Sequence, residues 1–248
     1  MRYENMIPGT FVSRPNRFIA KVRLAGGEEA TAHVKNTGRC RELLVPGCRV
    51  YLQDHAGFMG KRKLRYSLIA VDKVCSRGAV LINMDSQAPN KIVGEALADG
   101  RFCDVFGDEL KDADFDFGDL SDISPEKTFG DSRFDFRLTD RDGRVCWMEV
   151  KGVTLEEDGV ARFPDAPTER GVKHVGELVK AVSAGDSACI VFVIQMKGIK
   201  EFRPNDETHM AFGDALRNAH SRGVKILAFD CNVGIDSAEI SDKIEVVL

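Results

Sequence analysis

A chain of 248 residues with 43% hydrophobic content can bury one large core or two small ones. Its formal charge is −4, yet residues 1–85 carry 15 Lys or Arg against 7 Asp or Glu, and the remainder 20 against 32, so the first third is basic inside an acidic total. That asymmetry points to a polyanion partner, while an apolar run of at most about seven residues excludes a helix of the ~20 needed to cross a bilayer.

In chain order, the basic part is rich in strand signals. PNRFIAKVRL, EEATAHVK, CRVYLQDH and YSLIAVDKV are short, partly alternating and separated by Gly or Asn turns, with no long helical period between them. This is the pattern of a small closed β-barrel. Lys61, Arg62 and Lys63, with Arg65 and Tyr66, form its densest cationic cluster, and cations beside an aromatic suit a groove that tracks phosphates and stacks bases.

The pattern then changes. PNKIVGEALADG predicts a helix, with Pro89 in its first turn, an apolar stripe of Ile92, Val93, Ala96 and Leu97, and Gly100 closing it. The acidic stretch from Asp112 to Gly118 has a weak likeness to a calcium loop, but its glycine is one place late and position twelve is Ile123, so it reads as a solvated loop. Next come two strands of a hairpin turning at residues 140–143, a helix over 168–184, the apolar strand ACIVFVIQM, a helix near 206–221 and the strand VKILAF. Helices and strands alternating this way indicate an α/β sheet, in a chain that is α+β overall.

The hairpin carries the chemistry. Side chains two apart on a strand share a face, about 6.6 Å apart, so Glu149 and Lys151 project together. In the preceding strand Phe134, Phe136 and Leu138 are expected on one side, Asp135 and Arg137 on the other, bringing Asp135 across from Glu149. Converging carboxylates repel unless a cation sits between them, and Mg²⁺ takes few carboxylates plus waters and phosphate oxygens. A lysine beside them can orient water or stabilise charge on a phosphate. Asp135, Glu149 and Lys151 are therefore the candidate catalytic set, with Mg²⁺ or Mn²⁺ as cofactor. Glu-x-Lys alone is commonplace on solvated sheet faces, so the context must decide.

That context is a resemblance. Asn36-Thr37-Gly38, Gly130-Asp131-Ser132-Arg133-Phe134-Asp135-Phe136, Glu149-Val150-Lys151-Gly152-Val153-Thr154-Leu155 and, above all, FPDAPTERGVKHVGEL at 163–178 resemble the SfsA family, the sugar fermentation stimulation proteins. The resemblance runs from about Phe11 to the C-terminus. It implies an N-terminal OB-type barrel over residues 1–85 and a domain similar to PD-(D/E)xK restriction-type nucleases over 86–248, in a family described as DNA-binding. It also implies that Glu95 joins Asp135 and Glu149 as a metal ligand. The helix at 168–184 would offer Arg170 and Lys173 to the strand being cut, and Arg17, in Arg14-Pro15-Asn16-Arg17-Phe18, would contact nucleic acid with Lys61, Arg62, Lys63 and Arg65. Where relatives tend to have Cys-Pro before Asn-Thr-Gly, this chain has Val34-Lys35.

Two functions follow: a divalent-metal-dependent nuclease, or a non-catalytic DNA-binding regulator of sugar metabolism genes that uses the same fold. The complete acid, acid and lysine set favours the first. A helix-turn-helix activator fits less well, because the helix near 206–221 leads through Gly223 into a strand. The expected partner is DNA, with single strands or RNA left open, as is a homo-oligomer; no membrane partner is expected. Seven cysteines without a Cys-x-x-Cys, and no leader-like start, imply reduced thiols and a cytoplasmic location, and five histidines show no zinc-like spacing.

Overall fold

Short β-rich segments punctuated by turns fold as strands, whose successive side chains point to opposite faces. The structure, a computed structural model, describes residues 1–248 apart from Thr37, Phe58, Ser76, Arg77, Ala113 and Asp114, and for Asp108, Glu109, Lys111 and Asp112 the backbone alone. Parts of the Asn36-Thr37-Gly38 and 112–118 motifs thus lie outside the described residues.

Strands β1 (Met6–Asn16), β2 (Ile19–Leu24), β3 (Glu29–Val34), β4 (Arg49–Asp54) and β5 (Tyr66–Cys75) close a five-stranded OB-like barrel. The ring shuts through a parallel pairing of β3 with β5, Ala32 opposite Tyr66 and Val34 opposite Leu68. Its interior is filled by Ala20, Val22, Ala32, Val50, Leu52 and Leu68, all fully buried; side chains this small suit a tightly wound barrel. β6 (Gly78–Asn83) pairs with β5 and leads out of the barrel.

The second part is a mixed six-stranded sheet. Its order is β17 (Ala238–Lys243), β16 (Lys225–Val233), β14 (Ser187–Ile194), β11 (Val145–Val153), β10 (Ser132–Asp140) and β9 (Leu120–Phe129), with β11, β14 and β16 parallel. Helices α1 (Ala88–Ala98) and α2 (Arg101–Phe106) pack on one face, α3 (Glu169–Ser183) and α4 (Asp206–Ser221) on the other. Strands buried on both faces read as unbroken apolar runs, which is why SACIVFVI is β14. The core beneath α3 and α4 continues into the barrel interior, joining Phe11 and Leu68 to Phe192 and Leu216 in one apolar cluster. A four-stranded sheet of β12 (Glu156–Glu157), β13 (Val160–Phe163), β15 (Glu201–Pro204) and β18 (Glu245–Val246) completes the fold. It is tied to the barrel by Lys73, whose Nζ lies 2.7 Å from the buried Glu156 carboxylate.

One expectation needs correction, and one element had no signal in the sequence. The segment at 112–118 is more than a solvated loop: β7 (Lys111–Asp112) and β8 (Phe115–Asp116) form a small hairpin whose Phe115 and Phe117 are buried, their ring centroids 4.8 Å apart. The two aromatics outweigh the surrounding charge. The short β12–β13–β15–β18 sheet lacked a periodic signal, since its strands hold only two to four residues. Among the described residues no helix is long and apolar enough to cross a membrane.

Helix α3 begins where Thr168 Oγ1 accepts the Gly171 amide at 3.1 Å, with Glu169 in the first turn and Lys180 in the last, both favourable to the helix dipole. Phe192 of β14, fully buried, stacks on Phe202 at 4.1 Å between ring centroids. Replacing Thr168 by Ala removes one cap and should lower stability by about 1 kcal/mol, whereas Phe192→Ala opens a cavity and should cost about 3–5 kcal/mol. Urea unfolding of the two variants checks this order; equal losses would show that the β14 aromatic stack is not a principal packing element.

Candidate active site

β10 and β11 pair from Thr139 opposite Val145 to Phe136 opposite Met148, and there the recorded register stops. Beyond it the Val150 amide donates to a side chain, Asp135 Oδ2, at 2.8 Å. Asp135 Oδ1 accepts from Asn90 Nδ2 of α1 at 2.5 Å. On the other side of β10, Glu126 of β9 adopts φ +53°, uncommon for a side-chain-bearing residue, at the position between the pairs Phe134–Lys127 and Phe136–Pro125. The expected single apolar face of β10 is broken here. Phe134 packs on the α3 side, against Trp147 and His174, whereas Phe136 and Leu138 belong to the core on the α1 side. A carboxylate that takes the place of a ladder acceptor turns the strand at Asp135, and simple alternation fails.

Glu149 and Lys151 do share a face of β11, for Lys151 Nζ is bonded to Glu149 Oε1. The same oxygen is 2.6 Å from His174 Nδ1, and His174 Nε2 is 3.3 Å from Arg170 Nε. Arginine can only donate, so Nε2 accepts, the ring proton sits on Nδ1, and His174 donates to Glu149. Glu149 is 2% exposed, and its Oε2 is buried without a hydrogen-bond partner. Burial pushes the Glu149 carboxyl up, but the His174 hydrogen bond and the Lys151 ammonium outweigh it and hold the group below the ordinary glutamate value. Asp135 goes the other way: burial first, then the Glu149 charge, raise it above the ordinary aspartate value despite its two donors. An orphaned buried oxygen beside a second, charge-strained carboxylate is costly. A hard divalent cation, taking oxygen ligands, is the group this donor set fits.

The other expected site residues divide. Arg170 and Lys173 are exposed on α3; Lys173 Nζ donates to the Asp131 carbonyl at 3.1 Å, and Glu177, buried, pairs with Lys180 at 2.6 Å and not with Lys173. Lys61, Arg62 and Lys63 are exposed at a cavity of about 890 Å³ on the barrel, and Arg17 is exposed at the β1–β2 turn beside Phe18. Two of the expected residues have other partners here. Glu95 does not meet the carboxylate pair: its Oε2 lies 2.7 Å from the amino-terminal ammonium of Met1, and the α1 residue that touches Asp135 is Asn90, more than one helical turn earlier. Arg65 spends its guanidinium on Asp54, with contacts of 2.7 and 2.6 Å, so its charge is largely matched within the barrel. Arg14 likewise serves the backbone, donating to the carbonyls of Gly38, Arg39, Arg17 and Asn36. Among the described residues, no group of three His, Cys, Asp or Glu side chains is placed to hold a metal.

The model of the sugar fermentation stimulation protein RE domain matches residues 87–237, and that of the SfsA N-terminal OB domain matches residues 12–82. The chain belongs to the sugar fermentation stimulation protein family. A homologue from Desulfitobacterium hafniense (strain Y51) is 55% identical over 248 residues, covering 100% of this chain and 99% of the relative. One from Clostridium beijerinckii is 47% identical over 248 residues, covering both chains fully. The structure of Pyrococcus furiosus SfsA in complex with Ca²⁺ is similar with a TM-score of 0.82 and 26% identity, covering 100% of this chain and 98% of that one.

The opposite shifts give the two carboxylates opposite expected effects without divalent cation. Because the folded-state value of Asp135 is raised, its charge opposes folding above that value, and the penalty vanishes below the unfolded one. Asp135→Asn should therefore stabilise the protein at pH 7, with the gain shrinking toward pH 4. The folded-state value of Glu149 is lowered, so its contribution is present above the unfolded value and lost as pH falls through the folded one. Glu149→Gln, which puts an unmatched donor in the buried Oε2 position, should cost about 1–3 kcal/mol at pH 7. Thermal unfolding in chelator at pH 7 and pH 4 reads both; the same sign for both at pH 7 would contradict the assignment.

Proposed function

We propose that the protein is a divalent-cation-dependent nuclease that hydrolyses phosphodiester bonds, with the basic barrel holding the nucleic acid. One observation carries the reading: Glu149 Oε2, buried and without a donor, beside Asp135, with Lys151 on the same strand face. The Ca²⁺ bound by the Pyrococcus furiosus relative supports a hard-cation site in this fold, and Mg²⁺ or Mn²⁺ is the working ion. Asp135 and Glu149 would hold it, and when bound it supplies charge neutralisation and polarisation of the phosphate and of water. With only two carboxylates, room remains for water and phosphate oxygens, which suits Mg²⁺.

The chain's own residues have distinct tasks. Lys151 offers its ammonium at the carboxylate pair, where it can orient the attacking water and stabilise charge building on the phosphate. Asn90 and the Val150 amide fix both oxygens of Asp135, so its direction does not depend on substrate. His174, oriented by Arg170, fixes Glu149 Oε1 and leaves Oε2 as its ligand atom. Arg170, Lys173, Arg17 and the cluster of Lys61, Arg62 and Lys63 contribute cations for the backbone of the strand.

Incubation of the purified protein with labelled single- and double-stranded DNA, with Mg²⁺ or Mn²⁺ or with chelator, tests the reading. Cleavage should require the cation and fall by about 10²–10³-fold or more in Glu149→Ala and Lys151→Ala, with the fold retained. Undiminished cleavage in chelator, or in the Lys151 variant, would overturn the mechanism.

A further inference from the structure

The cavity on the barrel is built from two loops that flank its open face. The β1–β2 turn contributes Phe18, an aromatic ring 52% exposed, and the segment before β5 contributes Lys61, Arg62, Lys63 and Leu64. Ile19 and Val34 add apolar wall, and among the described residues lining it there is no Asp or Glu. About 890 Å³ is the size of a small-molecule site, far too small for a duplex to enter. Apolar walls, a presented aromatic face and a cationic rim without carboxylates match one chemistry, a planar base attached to phosphates.

Its position matters as much as its lining. Ser86 and Gln87 form part of the cavity, and this segment is held to the barrel by the Lys35–Asp85 ion pair at 2.8 Å and by the Ser86 hydroxyl on the Lys35 carbonyl. Three residues beyond Gln87, about 4.5 Å along the helix, Asn90 holds Asp135. Cavity and carboxylate site thus lie at the two ends of one short, anchored segment.

We propose that this cavity receives a single unpaired nucleotide, its base against Phe18 and its phosphates on Lys61, Arg62 and Lys63, so that the carboxylate site acts on single-stranded polynucleotide and not on continuous duplex. A base within a duplex is stacked and paired, and extracting it costs a few kcal/mol that a strand without a partner does not incur. The inference deepens the nuclease reading by naming its substrate class, but the binding step needs no cleavage, which allows the two to be tested apart.

Fluorescence anisotropy of the full-length protein with a labelled 20-nucleotide single strand and with the matching blunt duplex, both in chelator, measures the binding alone. The single strand is expected to bind at least about tenfold tighter. Phe18→Ala should weaken the single strand by about 5- to 150-fold, the worth of one base–aromatic stack, leave the duplex unchanged, and be rescued by Phe18→Trp. Phe18 is half exposed, so the variant should keep its fold. Equal affinity for duplex and single strand, or unchanged single-strand affinity in Phe18→Ala, would overturn the inference. Cation-dependent cleavage of blunt duplex alongside that result would leave the nuclease reading standing. Selective single-strand binding without cleavage under any cation would sink the nuclease reading and keep the nucleotide site.

Discussion

Two carboxylates held close together away from water must be compensated, and the arrangement around Asp135 and Glu149 is organised by that demand. Like charges in a partly desolvated site oppose each other, and a hydrogen bond to a charged group offsets about 1.5–3 kcal/mol of that cost. Glu149 has a histidine donor and an ammonium, which hold its value below the ordinary one; Asp135 has an amide and a backbone N–H, which do not offset its burial and the Glu149 charge. The imbalance leaves one oxygen of Glu149 without a partner and one carboxylate with excess charge, and a divalent cation answers both deficits at once.

The scaffold holds this unfavourable pair by rigid means. Asp135 is bonded to the strand beside it and to α1; Glu149 lies beneath α3, whose His174 reaches it from a capped helix. The barrel is joined to the same construction through residues 83–90. Asn83 donates its amide to the buried Tyr3 hydroxyl and receives a bond from Gln195 at 3.2 Å, and the Asn83 amide nitrogen of the main chain donates to the Gln195 carbonyl. At the other contact, a Cβ on Gly38 would come within 2.3 Å of Asp165 Oδ2, so the loop ahead of α3 lies close against the barrel there. These contacts, with the apolar cluster the two parts share, tie the barrel to the sheet that carries the carboxylates.

Much of this was readable from residue patterns, for local reasons. A period of two places Glu149 and Lys151 together whatever the tertiary structure, and Thr168 with Glu169 marks the start of α3 because capping depends on neighbours in sequence. What escaped depended on partners far along the chain. Glu95 lies at the edge of a helical stripe, and only the folded chain shows the Met1 ammonium beside it. Arg65 looks like a groove cation until Asp54 is seen across the barrel, and nothing in the sequence marks Asn90 as the partner of Asp135. The alternation of β10 predicted one apolar face; the bond from Val150 to Asp135 turns the strand and sends Phe134 to the opposite core from Phe136. His174 stands four residues after Arg170, one helical turn along the same face, but its contact with Glu149 is visible only in the folded chain.

Asp135 and Glu149 are expected to form a cation site without Glu95. Titration of Mn²⁺ into the protein, followed by calorimetry and by the electron paramagnetic resonance of the free ion, measures this directly in the parent and in Asp135→Asn, Glu149→Gln and Glu95→Gln. The expected result is one ion per chain in the parent, affinity reduced at least about tenfold in the first two variants, and no change in Glu95→Gln. Mn²⁺ binding that survives both Asp135→Asn and Glu149→Gln, or that disappears in Glu95→Gln alone, would contradict it.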